Sequence, residues 1–190
     1  MAQAYIHRVA LSLPIASSVD EFWEAIESGV DSIRPNVARS KADRTLWTSH
    51  FEPDFWEGLE SLYGSFSKFE LLLIDTLHQA DFAAFPQNGC VIFSTTKGNI
   101  AAINESDTSI QTSIQKVLAY FQFQGKYHIV SNACISGVLA INMAQRFIKA
   151  DMHQDVLVIG ADLVSGFVLD GFNSFQAIAK EKCKPFDASR

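Results

Sequence analysis

Strand-like and helix-like apolar patterns alternate along most of this chain. Residues 156–161 are apolar at every position, as in a strand covered on both faces, and residues 90–94 and 127–131 form further strand predictions. Between these runs, apolar residues recur at intervals of three and four, which is typical of amphipathic helices. Helices that alternate with such strands predict an α/β fold, in which a mixed, mainly parallel sheet is covered by helices.

Capping residues mark where two of the helices begin. Ser18 precedes Glu21, and Ser67 precedes Glu70, at the spacing that lets two side chains satisfy the free amides of a first turn. The further predicted elements are a strand over 5–13, a helix over 19–28, a helix after 67, a helix capped by Asp107, and a helix over about 134–150. Gly125 is predicted to end the helix that Asp107 caps.

The stretch from 34 to 64 has no clear period. Pro35, Pro53 and Gly58 lie there among charged and aromatic side chains. This composition predicts a long irregular excursion over the surface, with only a short helix near Phe55.

The helix predicted over 134–150 is apolar round most of its circumference, which predicts burial on two sides. Gly137, Ala140 and Ala144 form an edge of small residues where another backbone could approach closely. We therefore expect the first half of this helix to pack against a further layer of structure, and that layer need not lie in this chain.

Size and composition indicate one packed domain over residues 1–190. A chain of this length, 48% hydrophobic and 19% charged, buries too much apolar surface to be disordered. The net charge of −6 does not predict a positively charged surface that would attract nucleic acid or anionic lipid. No apolar run approaches the roughly 18 residues of a membrane span. We therefore expect neither a nucleic-acid partner nor a membrane.

Cysteine usage fits a reducing, cytoplasmic location. Cys90, Cys134 and Cys183 lie far apart, and no C-x-x-C spacing indicates a disulfide framework or a zinc ribbon. The histidines also lack the spacing of metal ligands. We expect a cytoplasmic protein without a metal site.

Cys134 lies where a predicted strand turns sharply into a predicted helix. Unsatisfied amides and the positive end of the helix dipole favour a thiolate at such a position. The same amides can hold an oxyanion. On this context alone, Cys134 is either a catalytic nucleophile or a small buried core residue, which is the usual fate of a free cysteine.

Ordered motifs over nearly the whole chain resemble the β-ketoacyl-acyl-carrier-protein synthases of the thiolase superfamily. The motifs are the helix starts at 19–23 and 66–69, Asn132-Ala133-Cys134-Ile135-Ser136-Gly137 at the nucleophile turn, Gly160-Ala161-Asp162 at the next strand end, Gly171-Phe172-Asn173-Ser174-Phe175 at the Gly-Phe segment, and Lys184-Pro185-Phe186-Asp187-Ala188-Ser189-Arg190 at the PFD signature. The resemblance implies a thiolase-like fold in which Cys134 is the nucleophile that accepts an acyl group.

The resemblance also implies that the chain is the N-terminal half of a synthase, with the C-terminal half absent. Two similar halves build one subunit in the family, and this sequence stops after the signature that closes the first half. Two histidines, a lysine and a second oxyanion-hole amide belong to the other half. None of the five histidines here matches a family position. We therefore expect this fragment alone to be inactive.

For the intact parent, the resemblance implies decarboxylative Claisen condensation in fatty acid, polyketide or polyene synthesis. Cys134 would take an acyl group from a carrier-protein thioester, and a malonyl thioester would lose CO2 and attack the acyl-enzyme. No cofactor is expected on this chain. Phosphopantetheine on the acyl carrier protein would deliver both substrates, and the synthase would be a homodimer or a heterodimer.

Three further residues are candidates for contact with the acyl chain. Thr96 and Lys97 lie in a turn that borders the acyl pocket in relatives, although the turn is less glycine-rich here, and Phe172 lies in the Gly-Phe segment. A solvent-facing turn is the alternative for Lys97. An ordinary core aromatic is the alternative for Phe172.

The alternative function is a non-condensing acyl-binding or assembly subunit that partners a complete synthase. The missing half favours this alternative, whereas the retention of Cys134 argues against it. The basic residues Arg34, Arg39, Lys41 and Arg44 could meet an acidic carrier protein, although a solvated loop is the simpler explanation.

Overall fold

The computed structural model describes residues 3–36, 46–102, 109–179 and 181–188. In chain order its helices and strands are α1 (Val19–Glu27), β1 (Ile33–Asn36), β2 (Leu46–Ser49), α2 (Pro53–Tyr63), α3 (Lys68–Gln79), β3 (Cys90–Ser94), α4 (Ile110–Tyr120), β4 (Lys126–Val130), α5 (Ser136–Lys149), β5 (Val156–Gly160) and α6 (Gly166–Ser174). Short 3-10 helices, Phe82–Ala84 and Ile100–Ala102, flank β3. Within these ranges, no helix has the length and apolar character needed to cross a bilayer.

A three-stranded parallel sheet forms the centre of the fold. β3 lies between β4 and β5, with Cys90 beside Lys126 on one side and beside Val156 on the other. Every residue of β3 is buried, as expected of a central strand covered on both faces. The predicted α/β fold with a mainly parallel sheet is confirmed. The bounds of its three strands differ from the prediction by one residue at most.

The main core lies between one face of this sheet and the helices α3 and α4. Phe93 of β3 belongs to a single buried cluster with Leu73 and Leu77 of α3 and Ile114 of α4. All four side chains are almost completely buried. Burial of an apolar side chain of this size stabilises a fold by roughly 1.5–3 kcal/mol, so this cluster is the main source of stability for the sheet.

Helix α5 covers the opposite face of the sheet through its smallest side chains. Ala140 and Ala144 are buried in one cluster with Cys90 and Ile92 of β3. Because alanine projects only a methyl group, the helix backbone lies close to the sheet. The small-residue edge predicted for this helix therefore faces β3, except for Gly137, which is exposed.

The outer side of α5 is uncovered in the described chain. Val138 and Ile141 are 70% and 60% exposed, and Ile135, just before the helix, is 53% exposed. The sequence predicts burial on two sides, and the structure provides cover on one. The sheet supplies that cover.

The strand predicted over 5–13 is not formed. Residues 3–12 have no regular secondary structure, and only an isolated bridge joins Leu13 to Ala16. Tyr5 and Ile6 are 79% and 84% exposed. An apolar pattern does not suffice for a strand, because the backbone needs a neighbouring strand for its hydrogen bonds. This segment pairs with none of the strands described above.

The prediction of an irregular excursion over 34–64 is wrong for most of its described part. β1 and β2 pair antiparallel, with Ile33 opposite Ser49. Helix α2 has eleven residues and is not a short helix. Strands of four residues are too short to show a period. Pro53 counts as a breaker in the sequence, but it stands at the start of α2, where its missing amide costs nothing.

Only one member of the predicted basic run lies in the described part of the chain. Arg34 Nη2 is 3.0 Å from the carboxylate oxygen Oε1 of Glu52. Arg39, Lys41 and Arg44 lie outside the described residues. The guanidinium of Arg34 is therefore paired within its own chain.

The capping residues of α1 and α3 behave largely as predicted. At α3, the Ser67 hydroxyl accepts a hydrogen bond from the Glu70 amide, and the Glu70 carboxylate accepts one from the Ser67 amide. At α1, Ser18 accepts from the Glu21 amide at 3.2 Å. The Glu21 carboxylate accepts from the amide of Ser17 instead of Ser18, and this hydrogen bond lowers the pKa of Glu21.

Helix α4 begins and ends differently from the prediction. Ser109 is its N-cap and accepts a hydrogen bond from the Thr112 amide at 3.1 Å, whereas Asp107 lies outside the described residues. The helix ends at Tyr120, well before Gly125. Gln122 adopts a φ of 54°, the left-handed conformation in which many helices end.

Leu73→Ala in α3 is expected to lower the free energy of unfolding by about 2–5 kcal/mol, because truncation leaves a cavity in the main core. Leu73 is 1% exposed, whereas Leu62 in α2 is 72% exposed and provides a matched control. Leu62→Ala is expected to change the free energy of unfolding by less than about 0.5 kcal/mol. Urea unfolding followed by circular dichroism measures both, and equal losses would contradict this placement of the core.

Candidate functional site

The carboxyl ends of the three parallel strands meet at one edge of the sheet. Thr96 and Lys97 follow β3, Cys134 follows β4, and Asp162 follows β5. Parallel pairing therefore places Thr96, Lys97 and Cys134, three of the site residues predicted from the sequence, on the same edge as Asp162. In open parallel sheets this is the edge at which ligands bind.

Cys134 is exposed on a tight turn between β4 and α5. The amide of Ile135 donates a hydrogen bond to the carbonyl oxygen of Asn132 at 3.2 Å and closes the turn. Ala133, inside the turn, has a φ of 44°. This left-handed conformation costs a residue other than glycine about 1–2 kcal/mol. The turn thus presents the sulfur to solvent on a strained backbone, and Cys134 is not a buried core residue.

The hydroxyl of Ser136 holds this turn together. Ser136 is 3% exposed. Its Oγ accepts a hydrogen bond from the Asn132 amide at 2.7 Å and donates one to the Ala133 carbonyl oxygen at 2.7 Å. These bonds join the helix start to both residues before Cys134, and they offset the strain at Ala133. The sequence signal for this role was a hydroxyl two positions after the cysteine.

Helix α5 begins directly after the turn, with Ser136 as its first residue and Ile135 as its N-cap. The apolar side chain of Ile135 cannot accept a hydrogen bond from the amides of the first turn. These amides carry the positive end of the helix dipole. A thiol beside them can act as a nucleophile, and the amides can stabilise the oxyanion that forms when the thiol attacks a carbonyl group.

Asp162 connects the end of β5 to the loop after β3. Its carboxylate accepts hydrogen bonds from the Thr95 hydroxyl at 3.1 Å, the Thr96 amide at 2.9 Å and the Thr96 hydroxyl at 2.8 Å. It also pairs with Lys97 Nζ at 3.2 Å. In the sequence Asp162 was only part of a strand-end motif. Its signal was a carboxylate directly after a buried apolar strand.

The hydrogen bonds and the ion pair of Asp162 hold Thr96 and Lys97 in place. The Lys97 side chain is 22% exposed and paired with Asp162, so it does not extend freely into solvent. Thr96 is also held from the β4 side, because Ser131 Oγ donates a hydrogen bond to its carbonyl oxygen at 3.4 Å. The loop after β3 is therefore tied both to β5 and to the start of the turn that carries Cys134.

Phe172 lies on α6 and is 53% exposed, so it is not an ordinary core aromatic. Among the described residues, no ring contact or hydrogen bond joins Phe172 to the turn at Cys134. The sheet therefore brings together Thr96, Lys97 and Cys134, whereas Phe172 stands apart from their hydrogen-bond network.

The other two cysteines differ from Cys134 in their surroundings. Cys90 in β3 is completely buried, and this burial raises the pKa of its thiol. Cys183 is exposed in the irregular segment after α6. Over the ranges that the structure describes, no group of three or more His, Cys, Asp or Glu side chains could hold a metal ion.

Comparison with known proteins finds a family model that matches part of the chain. Residues 130–174, from the end of β4 to the end of α6, match the family model of 3-oxoacyl-[acyl-carrier-protein (ACP)] synthase III. Cys134 and Phe172 both lie in this stretch. Over 95% of its length, the chain is 24% identical to the non-reducing polyketide synthase atr1 of Stereocaulon alpinum, of which the match covers 9%.

Solved ketosynthase structures share the fold. A chain in the complex of the ketosynthase ApeO with its chain length factor ApeC, from Xenorhabdus doucetiae, is similar over 96% of this chain, with a TM-score of 0.74 and 21% identity. A β-ketoacyl synthase from Burkholderia phymatum STM815 is similar over 94%, with a TM-score of 0.68 and 18% identity. The present chain spans 52% of each of these two chains. The resemblance is confirmed, and the chain has the thiolase-like ketosynthase fold.

Ser136→Ala is expected to lower the free energy of unfolding by about 1–3 kcal/mol, because the Asn132 amide loses its hydrogen-bond acceptor and the turn loses its support. Ser131→Ala is the matched control, because Ser131 is exposed and makes one long hydrogen bond of 3.4 Å. We expect it to cost less than about 0.5 kcal/mol. Thermal unfolding measures both, and equal stability of the two variants would show that the Ser136 hydroxyl does not hold the turn.

Proposed function

We propose that this chain, which has the thiolase-like ketosynthase fold, is the N-terminal half of a β-ketoacyl synthase and accepts an acyl group on Cys134. The observation that carries this proposal is an exposed thiol on a strained turn at the start of α5. The turn lies within the residues that the synthase III model matches. A cysteine with a packing role would be buried, as Cys90 is.

The first step of the proposed reaction is the transfer of an acyl group to Cys134. The thiolate of Cys134 attacks the carbonyl carbon of an acyl thioester, and the amides at the start of α5 stabilise the oxyanion. The carbon–sulfur bond of the incoming thioester then breaks. Its sulfur leaves and takes up the proton that Cys134 gave up, so the acyl group ends on Cys134 Sγ.

The second step is the condensation of this acyl group with a malonyl unit. The malonyl thioester loses CO2, and the resulting carbanion attacks the acyl carbonyl carbon on Cys134. A carbon–carbon bond forms, and the Cys134 thiolate leaves. We assign the groups that promote decarboxylation to the part of the synthase that this chain does not span, since it spans about half of the ketosynthase chains with this fold.

The same comparisons support a proposal for the partners. The matched family model is named for acyl carrier protein, and the ketosynthase ApeO forms a complex with a chain length factor. We accordingly propose that phosphopantetheine on an acyl carrier protein presents both substrates, and that the synthase is a homodimer or a heterodimer. Phe172 and Thr96 are proposed to contact the acyl chain. For Lys97 we propose a position at the pocket border, because its ammonium is paired with Asp162.

Cys134→Ala is expected to abolish acylation by an acyl-carrier-protein thioester. Peptide mass mapping, on this chain alone and on the full-length synthase, locates the adduct. The matched control is Cys183→Ala, which removes the other exposed thiol and is expected to keep the adduct on Cys134.

Three outcomes of this experiment have distinct meanings. An adduct on Cys134 followed by release of a β-ketoacyl product from malonyl thioester supports the condensing synthase. An adduct without condensation in the full-length protein would indicate a non-condensing acyl-binding subunit. An adduct on Cys183, or none in either protein, would contradict the role proposed for Cys134.

A further inference from the structure

A cleft of about 630 Å³ opens beside the carboxyl end of β5. Its walls include residues 12–14, residues 49–51 and residues 160–167, together with Trp56 of α2 and Lys68 of α3. The volume is typical of a site for a small molecule, roughly 300–1,000 Å³. None of the side chains proposed for acyl transfer or acyl contact is among its described lining residues. The cleft adjoins the candidate site through Asp162, which binds the loop after β3, but Cys134 is not among its lining residues.

Three aromatic side chains, Phe51, Trp56 and Phe167, lie in its wall. Trp56 is 8% exposed, and the ring of Phe51 contacts it edge-on with centroids 5.2 Å apart. Phe167, in the first turn of α6, and Val164, just before that helix, are 63% and 46% exposed. A flat apolar body placed in the cleft would cover these exposed surfaces, and this burial favours binding.

One cation lies beside this aromatic wall. Lys68 Nζ is 5.1 Å from the centroid of the Trp56 ring. Among the described residues, no carboxylate lies within ion-pair distance of this ammonium, in contrast to Lys97 and Lys116, which pair with Asp162 and Glu70. An ammonium held over an aromatic ring without an acidic partner favours a ligand that carries an anionic group.

Other ionisable side chains in the wall have partners within the protein. The Asp162 carboxylate pairs with Lys97 and accepts hydrogen bonds from Thr96. The imidazole Nδ1 of His50 lies 3.1 Å from the Thr48 hydroxyl oxygen. The ammonium of Lys68 is therefore the charged group in the cleft that an anionic ligand would neutralise.

We propose that this cleft binds a small organic anion with a flat apolar body. The anionic group lies at Lys68, and the apolar body lies against the exposed side chains of Phe167 and Val164. The inference goes beyond the proposed acyl transfer, because none of the residues proposed to accept or contact the acyl group lines the cleft.

The charge of the ligand is tested with two compounds of the same shape. 2-Naphthoate carries a carboxylate, and 2-naphthamide is its neutral counterpart. Isothermal titration calorimetry on this chain is expected to give one naphthoate bound per chain, about tenfold more tightly than naphthamide. Added salt is expected to reduce this preference, because it screens the ammonium.

Substitutions then test the residues of the cleft. Lys68→Met is expected to weaken naphthoate binding about tenfold and to leave naphthamide binding unchanged. Lys149→Met, at the far end of α5, is the control for loss of a surface charge. Phe167→Ser is expected to weaken both compounds by the same factor. Phe175→Ser, 83% exposed and outside the cleft lining, is its control.

Several results would overturn the proposal. The first is equal affinity for the two compounds. The second is a preference for naphthoate that persists in Lys68→Met. The third is the binding of several equivalents per chain, which would indicate adventitious binding to apolar surface. Cys134→Ala is expected to bind naphthoate like the wild-type chain. Failure of this proposal is therefore distinguishable from failure of the proposed acylation.

Discussion

Parallel pairing of β3 with both of its neighbours is the constraint on which the rest of this molecule depends. A strand bonded along both edges and covered on both faces leaves no position exposed, and all five residues Cys90–Ser94 are buried. One face then requires large apolar side chains from α3 and α4, and the other accepts the small ones of α5. Because the three strands run in one direction, the turns that follow them lie at one edge. The strand topology therefore determines where the candidate site lies.

At that edge, polar side chains take over from the regular hydrogen bonding of the sheet. Asp162 binds the loop after β3, and Ser136 binds the turn after β4. Each holds a backbone segment that apolar burial does not fix. At Ala133, the left-handed φ of 44° needs such support, because the Cβ atom disfavours this conformation. Ser136 therefore holds the turn that carries Cys134, and Asp162 holds the neighbouring loop after β3.

The parts of the fold that could be predicted from the sequence are those in which burial and local pattern agree. The central strand β3 and its neighbour β5 are almost continuous apolar runs, and the capping box at Ser67 is a local signal. The segment 5–13 has a strand-like apolar pattern but no neighbouring strand to pair with in the described chain. In contrast, β1 and β2 pair with each other but are too short to show an apolar pattern. Within the site, the turn at Cys134 was recognisable from its motif. The roles of Ser136 and Asp162 were not. Asp162 binds a segment distant in sequence, and the local hydrogen bonds of Ser136 depend on the left-handed turn at Ala133, so neither role leaves a periodic pattern.

The geometry at Cys134 separates two parts of the proposed reaction. The turn is built by Asn132, Ala133 and Ser136, and the helix that follows is packed on β3 through Ala140. All of these contacts lie within this chain. The outer face of α5, in contrast, exposes Val138 and Ile141 and is not stabilised by the described chain. In the proposed reaction, the acyl group is accepted at the turn that the first set of contacts holds. Condensation needs in addition the groups that promote decarboxylation, which we assign to the part of the synthase that this chain does not span. The described chain thus contains the nucleophile of the proposed reaction and the contacts that support it.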